Sequence, residues 1–216
     1  MNTVQWALRS LRHPIEFYYD FPTELRQRGR LKLMHAGIIL LCAVAARVIS
    51  LLITGFALQT QEPYQVSILV EATWIVVPWL TWSAASWGVS TIVDGEGKFV
   101  DILSTSTFVL VPYIPLSLAI AALSNLMTLS FDYERTGISN ILYLSMLAFM
   151  FLWMLLQLFL HVKVLHDFEF GRTFWVIILS IIGMFIVWFV GLLLFGLINQ
   201  SIQFFVTIYK EIAFRM

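Results

Sequence analysis

The stretch TFWVIILSIIGMFIVWFVGLLLFGLIN, Thr173 to Asn199, carries no charged side chain and decides the environment of the whole chain. A helix that crosses the hydrocarbon of a bilayer needs about 20 mostly apolar residues, and its backbone N–H and C=O groups must be satisfied within the segment. Working back toward the N-terminus, Ser139–Leu165, Phe99–Leu129, Val66–Val93 and Met34–Leu58 meet the same test. The expected fold is all-α: a single polytopic transmembrane domain over 1–216, with a bundle of five spans between 34 and 199. Composition agrees, since 60% of the residues are apolar and 12% charged, against about half and a quarter in a soluble domain. The net charge is zero, so there is no basic field for nucleic acid. Cys42 is the only cysteine, which leaves no intrachain disulfide and no multi-Cys metal site. The mostly polar residues ahead of the first span do not read as a cleaved signal peptide, so that span is expected to be retained.

Cations give the expected orientation. Arg9, Arg12, Arg26, Arg28, Arg30, Lys32, Lys98, Lys163 and Arg172, nine of the thirteen Lys and Arg residues, fall on one side of the five spans. Arg135, Lys210 and Arg215 fall on the other, and Arg47 lies within a span. The positive-inside rule places the N-terminus in the cytoplasm and, with an odd number of spans, the C-terminus outside. The two ends read as amphipathic. Residues 1–33 carry the stripe Val4, Leu8, Leu11 and Ile15 beside Arg9 and Arg12, then the aromatics Phe17, Tyr18, Tyr19 and Phe21. Residues 200–216 carry Ile202, Phe205, Tyr209 and Ile212 at helical spacing, with Glu211 on another face. Both are expected to lie on the membrane surface, anchoring the chain or docking a partner.

Four in-span polar residues attract attention: Arg47, Glu71, Asn125 and Gln157. An Arg at mid-membrane costs roughly 2.5–3.5 kcal/mol on insertion scales, so a partner is expected, and Glu71 on the antiparallel neighbour is the candidate. Such a pair either fixes helix packing or lines a proton or substrate path. Asn125 and Gln157 read as interhelical hydrogen-bonding groups. Pro78, and Pro112-Tyr113-Ile114-Pro115, should bend or break the second and third spans, with Thr81 and Ser117 placed to satisfy the freed carbonyls. Ala84, Ala85, Ser86, Gly88, Gly183, Gly191 and Gly196 are places for helices to approach closely.

The loops offer weaker signals. Asp94-Gly95-Glu96-Gly97 lacks the Lys-Ser/Thr ending of a phosphate loop, so no nucleotide is expected, and its glycines read as a tight reversal with exposed acids for docking. His161, His166, Asp167 and Glu169 lack metal-ligand spacing and read as a solvated loop that also offers a docking surface. Ser104 to Thr107 have no base at matching depth. No catalytic, cofactor or metal site is expected.

The order of short motifs resembles the Yip family, the Ypt-interacting five-span membrane proteins, in its bacterial form. The resemblance rests on His13-Pro14-Ile15-Glu16-Phe17, on Asp94-Gly95-Glu96-Gly97 followed by Phe99 and Asp101, and on Val111-Pro112-Tyr113. It also rests on His166-Asp167-Phe168-Glu169-Phe170 before Arg172-Thr173, and on Phe204-Phe205 with Tyr209-Lys210-Glu211-Ile212. It implies a five-helix protein with a cytoplasmic N-terminus in a bacterial plasma membrane, and no enzyme. Eukaryotic members associate with Rab-type GTPases through a longer N-terminal region and an Asp-Leu-Tyr-Gly-Pro motif that this chain lacks, so that role is not carried over. Bacterial members look like accessory proteins, some encoded near sugar-uptake transporters. The expected function is a non-enzymatic membrane subunit that binds another integral membrane protein, such as a sugar-uptake ABC transporter, or organises membrane lipids. The alternative is a small transporter or channel using Arg47, Glu71 and the proline-broken helices.

Overall fold

In hydrocarbon a backbone hydrogen bond has no competitor, so long apolar segments close into helices, and among the described residues of the computed structural model there is no strand. Residues 2–28, 31–55, 63–126 and 138–215 are described. The expected span ends at Leu58 and Leu129, and the cations Arg30 and Arg135, lie outside them. The helices are α1 (Thr3–Arg12), α2 (Pro14–Arg28), α3 (Leu31–Ile53), α4 (Ile68–Ile92), α5 (Phe99–Ser106), α6 (Tyr113–Leu126), α7 (Ile138–His166) and α8 (Phe170–Arg215). Five segments are long and apolar enough to cross a membrane: Leu33–Ile53, Ile68–Ile92, Phe99–Leu126, Asn140–His166 and Phe170–Phe214.

The third segment is two helices joined by the 3-10 turn Thr107–Leu110. Pro112 has no N–H to continue the ladder, whereas Pro115 sits in the first turn of α6, where none is needed. Pro78, expected to bend or break its helix, does not break it. It lies inside α4 without interrupting it, and the Thr81 hydroxyl donates to the Val77 carbonyl at 2.8 Å and the Pro78 carbonyl at 3.2 Å. Those bonds brace carbonyls beside the proline, while the carbonyl that Pro78 deprives of an N–H is that of Trp74, four residues back.

The expected helix end at Asn199 is also absent, because neither Gly nor Pro occurs between Leu197 and Arg215. The residues read as a separate tail helix continue α8, which reaches 46 residues, roughly 70 Å against a hydrocarbon core of about 30 Å. Its first half packs on α4. A Cβ on Gly183 would lie 3.4 Å from the Ala85 Cβ, the close approach that small residues permit. Gly88, Gly191 and Gly196 have nothing within 4 Å and do not share that role.

The N-terminal segment departs most from expectation. Val4, Leu8 and Ile15 stay exposed, but Trp6, Phe17, Tyr18 and Phe21 are buried and pack with Ile39, Phe108 and Val111. Phe17 and Phe21 meet the Phe108 ring at centroid distances of 4.5 and 4.7 Å. The paired helices α1 and α2 are therefore a wedge driven into the bundle between α3, the broken third span and α7. The physical reason is a second, aromatic face that a stripe-based reading overlooks. Four rings gain more by burial in a preformed slot than by lying among headgroups.

Candidate functional site

Charge complementarity draws α3 and α4 together at one point. Arg47 Nε donates to Glu71 Oε2 at 3.0 Å. Glu71, in the first turn of α4, is only 3% exposed, while the Arg47 side chain keeps 42% exposure. The guanidinium also meets the Tyr113 side chain, which reaches Ser117. The break at Pro112 thus delivers Tyr113, the first residue of α6, to the ion pair.

The other two in-span amides join elements. Asn125 donates to the Ile53 carbonyl, and to Ala121 at 3.0 Å, satisfying a carbonyl that the end of α3 leaves open. Gln157 holds the wedge. Its Nε2 donates to the Ser10 carbonyl at 2.7 Å and its Oε1 accepts from the Tyr18 hydroxyl at 3.1 Å. Burial pushes the Tyr18 phenol pKa up, which keeps it a neutral donor.

The two loops expected to be solvated form one clasp. Asp94 (φ 53°) and Asp167 (φ 51°) take the left-handed conformation. Gly95 N–H donates to Ser90 C=O at 2.7 Å and Phe168 N–H to Lys163 C=O at 3.0 Å, the pattern of a Schellman C-cap at the ends of α4 and α7. The reversal after α4 is therefore made by Asp94, and the glycines have another job. They lie against His166: a Cβ on Gly95 would come within 2.7 Å of its Nδ1 and one on Gly97 within 2.4 Å of its Cε1. Gly97 N–H donates to His166 Nδ1 at 3.2 Å, which assigns the proton of a neutral ring to Nε2. The ring stacks on Phe168 at 5.2 Å, and the Arg172 guanidinium lies 4.7 Å from the centroid of that same phenyl ring while donating to the Val93 carbonyl. His166, read from the sequence as part of a solvated docking loop, is instead buried, because its ring packs against the two glycines. Asp94, Glu96, Asp167 and Glu169 remain exposed. Gly97→Ala is expected to destabilise the protein by about 1–3 kcal/mol through overpacking, measured by unfolding in mixed detergent micelles.

His161, read as part of the same solvated loop, is wholly buried, with Nε2 and the Thr105 hydroxyl 2.9 Å apart. This contact escaped the sequence reading because the partners are 56 residues apart. Two polar residues inside apolar runs were its only signal. Thr105 is itself fully buried and donates to the Asp101 carbonyl at 2.6 Å. Among the described residues no three His, Cys, Asp or Glu side chains gather as a metal site. On α8, Phe205, Tyr209, Glu211 and Ile212 are all exposed.

The spans, the half-buried ion pair and the docked loops define a polytopic α-helical membrane protein. A family model, the Yip1 domain, matches residues 8–201, and the chain belongs to that family. The matched range includes the motifs from His13 to Arg172; the tail motif from Phe204 to Ile212 lies beyond it. Neither the comparison with curated proteins nor the one with solved structures gives a match.

Proposed function

We propose that the protein is a non-enzymatic membrane subunit that binds another integral membrane protein through the second half of α8. The observation that carries this reading is the surface of that half. Phe195, Ile202, Phe204, Phe205, Tyr209 and Phe214 are between 56% and 90% exposed, on a helix too long for hydrocarbon to cover end to end. Large exposed apolar patches mark interaction surfaces, and aromatic side chains are favoured anchors in them. The cation distribution supports a cytoplasmic N-terminus and an external tail in a bacterial plasma membrane. A sugar-uptake ABC transporter is the first partner to test.

The test is an affinity capture of the tagged full chain from its native membrane in mild detergent, with mass spectrometry of the co-purifying proteins. A stoichiometric membrane partner is expected, and Phe205→Lys with Ile212→Lys should release it while leaving the bundle folded. Recovery of the protein alone, or a partner indifferent to both substitutions, refutes the reading.

A further inference from the structure

The Arg47–Glu71 pair opens onto cavities that partner binding through α8 does not use. Below the guanidinium lies a cleft of about 400 Å³ walled by Trp74, Pro78, Trp79, Trp82, Tyr113 and Met154. A cavity of about 150 Å³ shares Arg47 and Tyr113 with it and adds Ser50, Thr54 and Ser117. A groove of about 540 Å³ between α4 and α8 also has Trp74 and Pro78 in its wall, together with Val187, Gly191 and Leu192. The first cleft thus has wall residues in common with each of the other two. A cation and hydroxyls lie at one end of the track and carbon lines the other.

We propose that this track is a binding site for an anionic phospholipid, with the headgroup phosphate on Arg47 and an acyl chain along the Trp74–Pro78 wall into the α4–α8 groove. Three observations support this occupant. Glu71 engages Nε, but Arg47 remains 42% exposed while Glu71 is 3% exposed, so the cleft faces the cation and not its counter-ion. A guanidinium facing hydrocarbon is costly, and a phosphate offers it charge-assisted acceptors. The hydroxyls of Ser50, Thr54 and Ser117 already donate to main-chain carbonyls, which leaves their lone pairs to accept from a polyol headgroup. Depth also fits. From Ile53 back to Arg47 is six residues, about 9 Å along the helix, and the long side chain reaches Glu71 in the first turn of α4, toward the headgroups.

Native mass spectrometry of the full chain, titrated with phosphatidylglycerol or with phosphatidylcholine of the same acyl chains, tests the site. Both lipids carry the phosphate, so the rest of the headgroup discriminates. One phosphatidylglycerol should be retained with about a tenfold preference, since its glycerol hydroxyls can donate to the serine and threonine oxygens whereas choline has no donor and sets a cation beside Arg47. Arg47→Gln should reduce retention to the phosphatidylcholine level, and Arg47→Lys should restore part of it. Gly191→Leu adds a side chain where a Cβ meets nothing within 4 Å, so it fills the groove without disturbing the ion pair. It should weaken retention of both lipids several-fold, roughly in line with lost apolar contact, and it serves as the test if Arg47→Gln does not fold. Equal retention of the two lipids, an unchanged preference in Arg47→Gln, or undiminished binding in Gly191→Leu overturns the proposal. So does displacement of the lipid by glycerol 3-phosphate, which would assign the site to a free phosphate.

Discussion

Replacing Phe108 with alanine is expected to destabilise the folded protein by about 3–5 kcal/mol, the range for emptying a buried aromatic position. Phe108 has no exposed surface and lies where Phe17 and Phe21 of α2 meet the broken third span. Its removal takes away ring contacts from both aromatics at once, and the 3-10 turn that carries it has little room to collapse, since Thr107 and Val109 are buried on either side. Between two spans such a loss would be partly offset, because lipid chains are as apolar as the lost neighbour. The wedge has no such substitute. Its helices can leave the slot for the interface, exposing Trp6. A red-shifted emission from Trp6, in a background with the other tryptophans replaced, and faster proteolysis near Arg12 are the expected readouts. An unchanged unfolding midpoint would show that the aromatic slot does not secure the N-terminal helices.

Gln157→Leu is expected to cost about 2–6 kcal/mol, from two buried groups left unsatisfied at about 1–3 kcal/mol each. The apolar side chain suits α7, so span insertion should improve slightly. What is lost is the acceptor for the Tyr18 hydroxyl and the donor for the Ser10 carbonyl. Tyr18→Phe in the same chain removes one of the orphaned groups and should recover part of the loss. A double-mutant cycle of the two substitutions, read by unfolding in mixed micelles, should show coupling. Strict additivity would mean that the amide and the phenol do not act together.

The spans were legible because hydrocarbon imposes a length and a composition, and Arg47 and Glu71 because opposite charges at matching depth on antiparallel neighbours have few other partners. Pro112 was legible as a break. Pro78, which leaves its helix unbroken, was not distinguishable from it by residue type. The N-terminal wedge was hidden by its own amphipathicity: the Val4–Leu8–Ile15 stripe drew the reading, while the burying face was Trp6 with Phe17, Tyr18 and Phe21. The clasp was invisible for another reason. His166 and Gly97 are 69 residues apart, and no local pattern shows that a glycine is needed to make space for a distant ring. The length of α8 could have been read from the lack of a breaker, but the fall in hydropathy at Asn199 suggested an end that the backbone had no cause to make.

The wedge also imposes an order on biosynthesis. Tyr18 and Ser10 lie 139 and 147 residues ahead of Gln157, so the N-terminal helices leave the ribosome long before their docking site exists. At about 5–20 residues per second the delay is on the order of 10–30 s. Until first Phe108 and then α7 are made, Trp6, Phe17 and Phe21 lack their full cover, and the nascent chain must hold them at the membrane surface or on a chaperone. The same stripe of Val4, Leu8 and Ile15 that stays outside the finished bundle is available to hold the segment at the bilayer until the fourth span arrives.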